Sequence, residues 1–278
     1  MEKVKRAFFG SEEYFDRDVA RRKKALVEYA RALADAREQG GNQALYLYEI
    51  FVRQFQRTVS HYSRGDDLEV VRQHFAETLQ TLCEYRREKN FKPLDLMDLE
   101  QYHYALEVLA LCLLFDAPRN WFEAVVVIVE AGRAQDQEDY LIDFLISCWD
   151  AEREPSGTCL HPDPFQWLRK AIEADHDEDR LLHLLQFLQV YRHDTASLPW
   201  SESHMTDDGA FFGFWSFTLA AVVREMGISD EAFAANMLYP EDMVAREKVA
   251  PGKPEKVEVP PVEIPEPKTD SLPDSLAI

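Results

Sequence analysis

Residues 211–227 read FFGFWSFTLAAVVREMG, in a chain whose formal net charge is -20. Phe212, Trp215, Leu219, Val222 and Met226 recur at spacings of 3 and 4, which is one helical stripe. Phe211, Phe214, Phe217 and Val223 carry apolar surface nearly all the way round it. A segment apolar on every side belongs at the centre of a fold. The pattern predicts a central helix over 208–226, with Gly213 inside it where another backbone approaches closely, and Gly227 as the left-handed residue that ends it. Ser229 then caps a short helix reaching 236.

Outward from this segment, the same helical period recurs along most of the chain. Leu, Ala, Glu, Arg and Gln are abundant, glycines number ten in 278 residues, and β-branched residues are sparse outside VVVIV at 125–129. The composition predicts an all-α protein. Ser11 or Asp16 opens a first helix that stops at Gly40-Gly41, Asn42 caps a second that breaks at Arg64-Gly65, and Asp66-Asp67 start a third that runs to about Tyr85. Asp98 caps a fourth that Ala117-Pro118 closes. A soft boundary follows, and further helices are expected over about 120–131, 137–149, 164–174 and 177–192. Segments of 10 to 20 residues with short turns suit a multi-helix bundle of stacked antiparallel hairpins. EDYLIDFL at 138–145 and EDRLLHLL at 178–185 lie 40 residues apart, as two copies of a stacked hairpin would. The organisation expected is an N-terminal helical domain over 1–118, a C-terminal helical domain over 119–249, and a tail over 250–278 whose seven prolines favour an extended form.

Charge narrows the function. Residues 1–64 balance to +4, residues 65–249 to -21 and residues 250–278 to -3. A body this acidic repels nucleic acid and anionic membrane at long range and steers a basic partner toward itself. Direct nucleic-acid binding is therefore not expected. With no run of 18 apolar residues and no secretory pattern at the N-terminus, a cytoplasmic protein is expected. Cys83, Cys112, Cys148 and Cys159 form no CxxC pair, in keeping with that compartment.

Catalytic constellations are thin. Cys159, His161 and Asp163 in TCLHPDP lack a fourth zinc ligand. The pairs His176-Asp177 and His193-Asp194, with His161 and His183, raise a helical metal phosphohydrolase. A helix start favours the carboxylates of the first pair and a helix end the cation of the second, so capping accounts for both. No Gly-rich phosphate loop, GxSxG or HExxH is present. No enzyme activity, metal or cofactor is expected.

The segment GAFFGFWSFTLAAVVREMGISDEAFAANMLYPEDMV, residues 209–244, resembles the C-terminal domain of the PoNi family, the immunity proteins that neutralise polymorphic nuclease effectors in competition between bacteria. The likeness is carried by Phe212-Gly213-Phe214-Trp215, Ala220-Ala221, Gly227 and Tyr239-Pro240 with Asp242. RDVARRKKALVEYARAL, at 17–33, is loosely similar to the family's N-terminal domain. The resemblance implies an all-α protein that binds a cognate nuclease toxin, often one delivered by a type VI secretion system, and blocks it.

An acidic protein suits that partner, since a nuclease lines its active site with Lys and Arg for phosphate. The helix starting QDQEDYLIDFLISCW places Asp136, Asp139 and Asp143 on one side around Tyr140, with Leu141, Phe144, Leu145 and Cys148 opposite. An aromatic among carboxylates is a hot-spot arrangement, so Asp136, Glu138, Asp139, Tyr140 and Asp143 are the expected partner face. The run Asp175, Asp177, Glu178 and Asp179 extends it, although a helix start accounts for those carboxylates equally well. The competing reading of the whole chain is a non-catalytic helical adaptor for another basic protein or peptide. Neither reading predicts a homo-oligomer.

Overall fold

The computed structural model describes residues 5–131, 137–201, 203 and 211–244. Among these the chain is all-α, with helices α1 (Glu12–Gln39), α2 (Gln43–Arg64), α3 (Leu68–Tyr85), α4 (Leu99–Leu114), α5 (Arg119–Ala131), α6 (Tyr140–Ser147), α7 (Pro162–Glu173), α8 (Asp177–Asp194), α9 (Phe217–Met226) and α10 (Glu241–Val244).

Helix ends follow their capping chemistry. The side chains of Ser11, Asp67 and Asp98 accept from backbone N–H groups in the first turns of α1, α3 and α4. Gly40 and Gly65 stop α1 and α2 in the left-handed conformation. These short turns pack α1 on α2 and α2 on α3, and the turn at 174–176 packs α7 on α8. The seam between α1 and α2 is polar inside: Asp18 holds Arg22 at 2.7 Å and accepts from the Ser60 hydroxyl at 2.6 Å, and Arg22 donates to Gln56 at 2.5 Å. Each group there has a partner, which is the condition for burying it.

At the centre stands α4, with every residue from Tyr102 to Leu114 buried. It is packed by α9, α6 and α5. One hydrophobic core runs from Phe15 and Phe51 near the N-terminus through α4 to Phe187, Leu219 and Met243.

The segment 211–227 is core, as its pattern requires, but it is not one helix. Phe211–Ser216 is extended, and α9 begins only at Phe217, where the Ser216 hydroxyl accepts from Leu219 N at 3.2 Å. The cause is Gly213, whose φ of +137° no helix accommodates. The close neighbour is also not another backbone. A Cβ at Gly213 would stand 2.4 Å from the Ser63 hydroxyl and 2.5 Å from the Trp215 ring. Ser63 donates to the Phe212 carbonyl and accepts from the Trp215 indole at 2.8 Å, so this node ties α2 to the non-helical segment 211–216. The expected helix at 229–236 is likewise a series of turns.

Two buried charged groups between α4 and α9 complete the frame. Glu107 of α4 accepts from the backbone N–H of Phe217 at 2.8 Å and from the Thr218 hydroxyl at 2.8 Å. Arg224 donates to the carbonyls of Leu113 and Leu114 at the end of α4, of which Leu113 also accepts from the Asp116 N–H at 2.9 Å. Cross-bracing at both ends fixes α9 along α4. The expected repeat is not a stacked pair of hairpins: α6 has eight residues and is packed mainly on α4, whereas α8 has eighteen and lies against α7 at the edge.

Candidate partner-binding surface

The expected partner face on α6 is interior. Asp139 is fully buried and caps α6, accepting from Leu141 N at 3.0 Å and Ile142 N at 3.1 Å. Its other contacts come from the Tyr102 hydroxyl at 2.9 Å and Leu160 N at 3.0 Å. Burial still raises its pKa against the pull of those donors. Asp143 is 2% exposed and binds Arg153 at 2.7 Å and Ser156 N at 3.0 Å. Tyr140 is nearly buried beneath the Arg169 guanidinium. Asp139, Tyr140 and Asp143 therefore hold the loop 150–160 and α7 in place, and their carboxylates and ring are not offered to solvent. The alternation of charge with apolar residues suggested a solvent-facing side, but donors distant in sequence fill that side. Glu138 is exposed, and Asp136 lies outside the described residues.

The second run is on the surface. Asp175, Asp177, Glu178 and Asp179 are all exposed, in the turn after α7 and the first turn of α8. Asp177 pairs with Arg180 at 2.9 Å while its own side chain remains 92% exposed. Among the described ion pairs none engages Asp175, Glu178 or Asp179. Part of this clustering is local, since carboxylates at a helix start are favoured by the macrodipole. The remainder is an acidic corner whose charge nothing else in the described structure neutralises.

Continuing from that corner, α8 shows a feature that the sequence reading missed. Its inner side buries Leu184, Phe187, Leu188 and Tyr191. On the opposite side Leu182 is 54% and Leu185 41% exposed. The signal was present in LLHLL at 181–185: four leucines in five positions cannot all face one side of a helix.

The candidate metal ligands do not converge. His161 meets the Leu96 carbonyl at 2.8 Å, and His193 pairs with its neighbour Asp194. Cys159 carries a thiol that burial pushes up to about 11. Among the described residues no three His, Cys, Asp or Glu side chains are placed to hold a metal ion. No described helix is long and apolar enough to cross a membrane.

An open groove of about 1370 Å³ lies between the N-terminal arm, the start of α3 and the turn at 234–242. Its charges are largely spent on one another. Arg6 pairs with Asp242 at 2.6 Å, Tyr62 donates to Asp242 at 2.5 Å, and Arg64 pairs with Asp66 at 2.5 Å. This groove staples the arm to the family-like Tyr239–Asp242 turn and has no single sign of charge.

Comparison with known proteins agrees with the fold and supplies the family. The chain is similar in structure to the crystal structure of protein PA2201 from Pseudomonas aeruginosa, with a TM-score of 0.69 and 21% identity, over 88% of this chain and 90% of that one. A likeness at that identity concerns the fold alone. No protein among those with curated descriptions matches it. The model of the PoNe immunity protein (PoNi) N-terminal domain matches residues 6–127, and that of the PoNi C-terminal domain matches residues 137–243. With both halves of its fold accounted for, the chain belongs to the PoNi family, immunity proteins directed against a polymorphic nuclease toxin.

Proposed function

We propose that this protein neutralises its cognate nuclease in the cytoplasm, without catalysis of its own, by laying the acidic corner at the start of α8 over the basic surface with which the nuclease holds DNA. The observation that carries the reading is the exposed set Asp175, Asp177, Glu178 and Asp179, which among the described ion pairs meets one cation, Arg180. Carboxylates in such a cluster stand where DNA phosphates would otherwise bind, and the -20 charge of the whole chain accelerates encounter with a basic partner. Exposed Glu138 adds to the acidic surface. Delivery of the toxin by a type VI secretion system follows from the family resemblance.

The test is co-expression with the product of the adjacent gene, read by pull-down and by survival of the cells. A stable complex and restored growth support the reading. If neither is seen, the protein is a helical adaptor for a different basic partner.

A further inference from the structure

We infer that the outer ridge of α8 is a recognition helix, whose leucines seat in an apolar-floored, basic-rimmed cleft of the nuclease and set the lifetime of the complex. This rests on the immunity reading and assigns separate tasks to two parts of one surface.

Glu178, Leu182, Leu185 and Gln189 are all exposed, and their spacings of 4, 3 and 4 put them on one side of α8. The ridge is about 17 Å long at 1.5 Å per residue. Its backbone is held from behind, because Leu184, Phe187, Leu188 and Tyr191 are buried on the opposite side and α8 is packed against α7. A helix backbone held in this way loses little freedom on binding. Leu182 and Leu185 stand on adjacent turns of α8, so one apolar surface of a partner can cover both.

The charge beside them identifies the occupant. Asp175, Asp177, Glu178 and Asp179 stand at one end of the ridge. A second copy of this chain would bring the same carboxylates together, and an acidic partner would be repelled. A basic-rimmed cleft satisfies both elements: carboxylates pair at the rim, and the leucines occupy the dry centre. Helix-in-groove recognition uses this i, i+3, i+7 anchoring.

The two elements then differ kinetically. Rim charges act on the approach and are screened by salt, whereas buried anchors act on escape. The experiment measures association and dissociation of full-length protein with the purified, catalytically inactivated product of the adjacent gene. For Leu182→Ala with Leu185→Ala, dissociation should quicken about 30-fold or more, with association changed by less than about threefold. For Asp175→Asn, Asp177→Asn, Glu178→Gln and Asp179→Asn together, association should slow about tenfold at low salt. Val27→Ala and Leu45→Ala, at leucine-like exposure on α1 and α2, serve as controls and should change neither rate. An unchanged dissociation rate in the leucine variant overturns the ridge while leaving the immunity reading intact. Absence of any complex with the wild-type protein overturns the immunity reading and the ridge with it.

Discussion

Replacing Glu107 with glutamine should remove a pH dependence of stability. Glu107 is a fully buried carboxylate at the junction of α4 and α9. Burial pushes its pKa from 4.5 up to about 7, against the hydrogen bonds from Thr218 and the Phe217 N–H that favour the charged form. The folded protein therefore holds this proton more tightly than the unfolded chain does. The group's contribution is fully present below pH 4.5 and is lost as pH rises through about 7. Carrying the carboxyl over that interval corresponds to about 3 kcal/mol. The glutamine variant keeps an oxygen for the Phe217 N–H and cannot ionise. Urea unfolding at a series of pH values from 4.5 to 8 checks this. Relative to the variant, the wild type should lose about 3 kcal/mol across the series, spread steadily between about pH 5 and 7 and levelling off above it. Any pH-independent difference from repacking leaves the comparison intact, because only the change in the gap is read. A gap that stays constant over the whole range would show that the carboxylate is solvated or compensated in a way the geometry does not contain.

The same frame yields sharper local expectations. Gly213→Ala should cost more than 3 kcal/mol, since it combines a positive φ with a clash against Ser63 and Trp215, whereas Gly227→Ala, with open space around it, should cost only about 1 kcal/mol in the same denaturation assay. Asp139→Ala removes a helix cap and strands the Tyr102 hydroxyl and Leu160 N–H, so thermal unfolding should reveal a loss of about 3 kcal/mol. Arg224→Met leaves the Leu114 carbonyl unpaired, removes a second donor from the Leu113 carbonyl and should cost about 2–4 kcal/mol, read as earlier amide exchange in α4 and α9 together.

The helices legible in the sequence are those whose ends are written locally. Ser11, Asp67 and Asp98 start helices and Gly40 and Gly65 stop them, because capping involves residues within a few positions of each other. The start of α9 was not legible. Aromatics at 211–215 satisfy the helical period, and only the contact between Gly213 and Ser63, 150 residues away, shows that the chain is extended there. Partners more than two helical turns away, 10 to 37 residues off in sequence, hid the fate of Asp139 and Asp143. Their partners Tyr102, Arg153, Ser156 and Leu160 turn an apparent acidic face into an internal brace. Asp175–Asp179 were legible as acidic but not as a surface, since a helix start and a partner site have the same composition. The exposed Leu182 and Leu185 beside them become visible only once α8 has chosen which side to bury.

The central claim is that the protein occupies the place of DNA on its nuclease. The most direct measurement is binding of a fluorescent DNA duplex to the catalytically inactivated nuclease while this protein is titrated in. The account predicts mutual exclusion, with DNA displaced stoichiometrically by the wild type and much less effectively once the four carboxylates of the α8 corner are neutralised. A ternary complex, in which DNA stays bound while the protein joins, would contradict it.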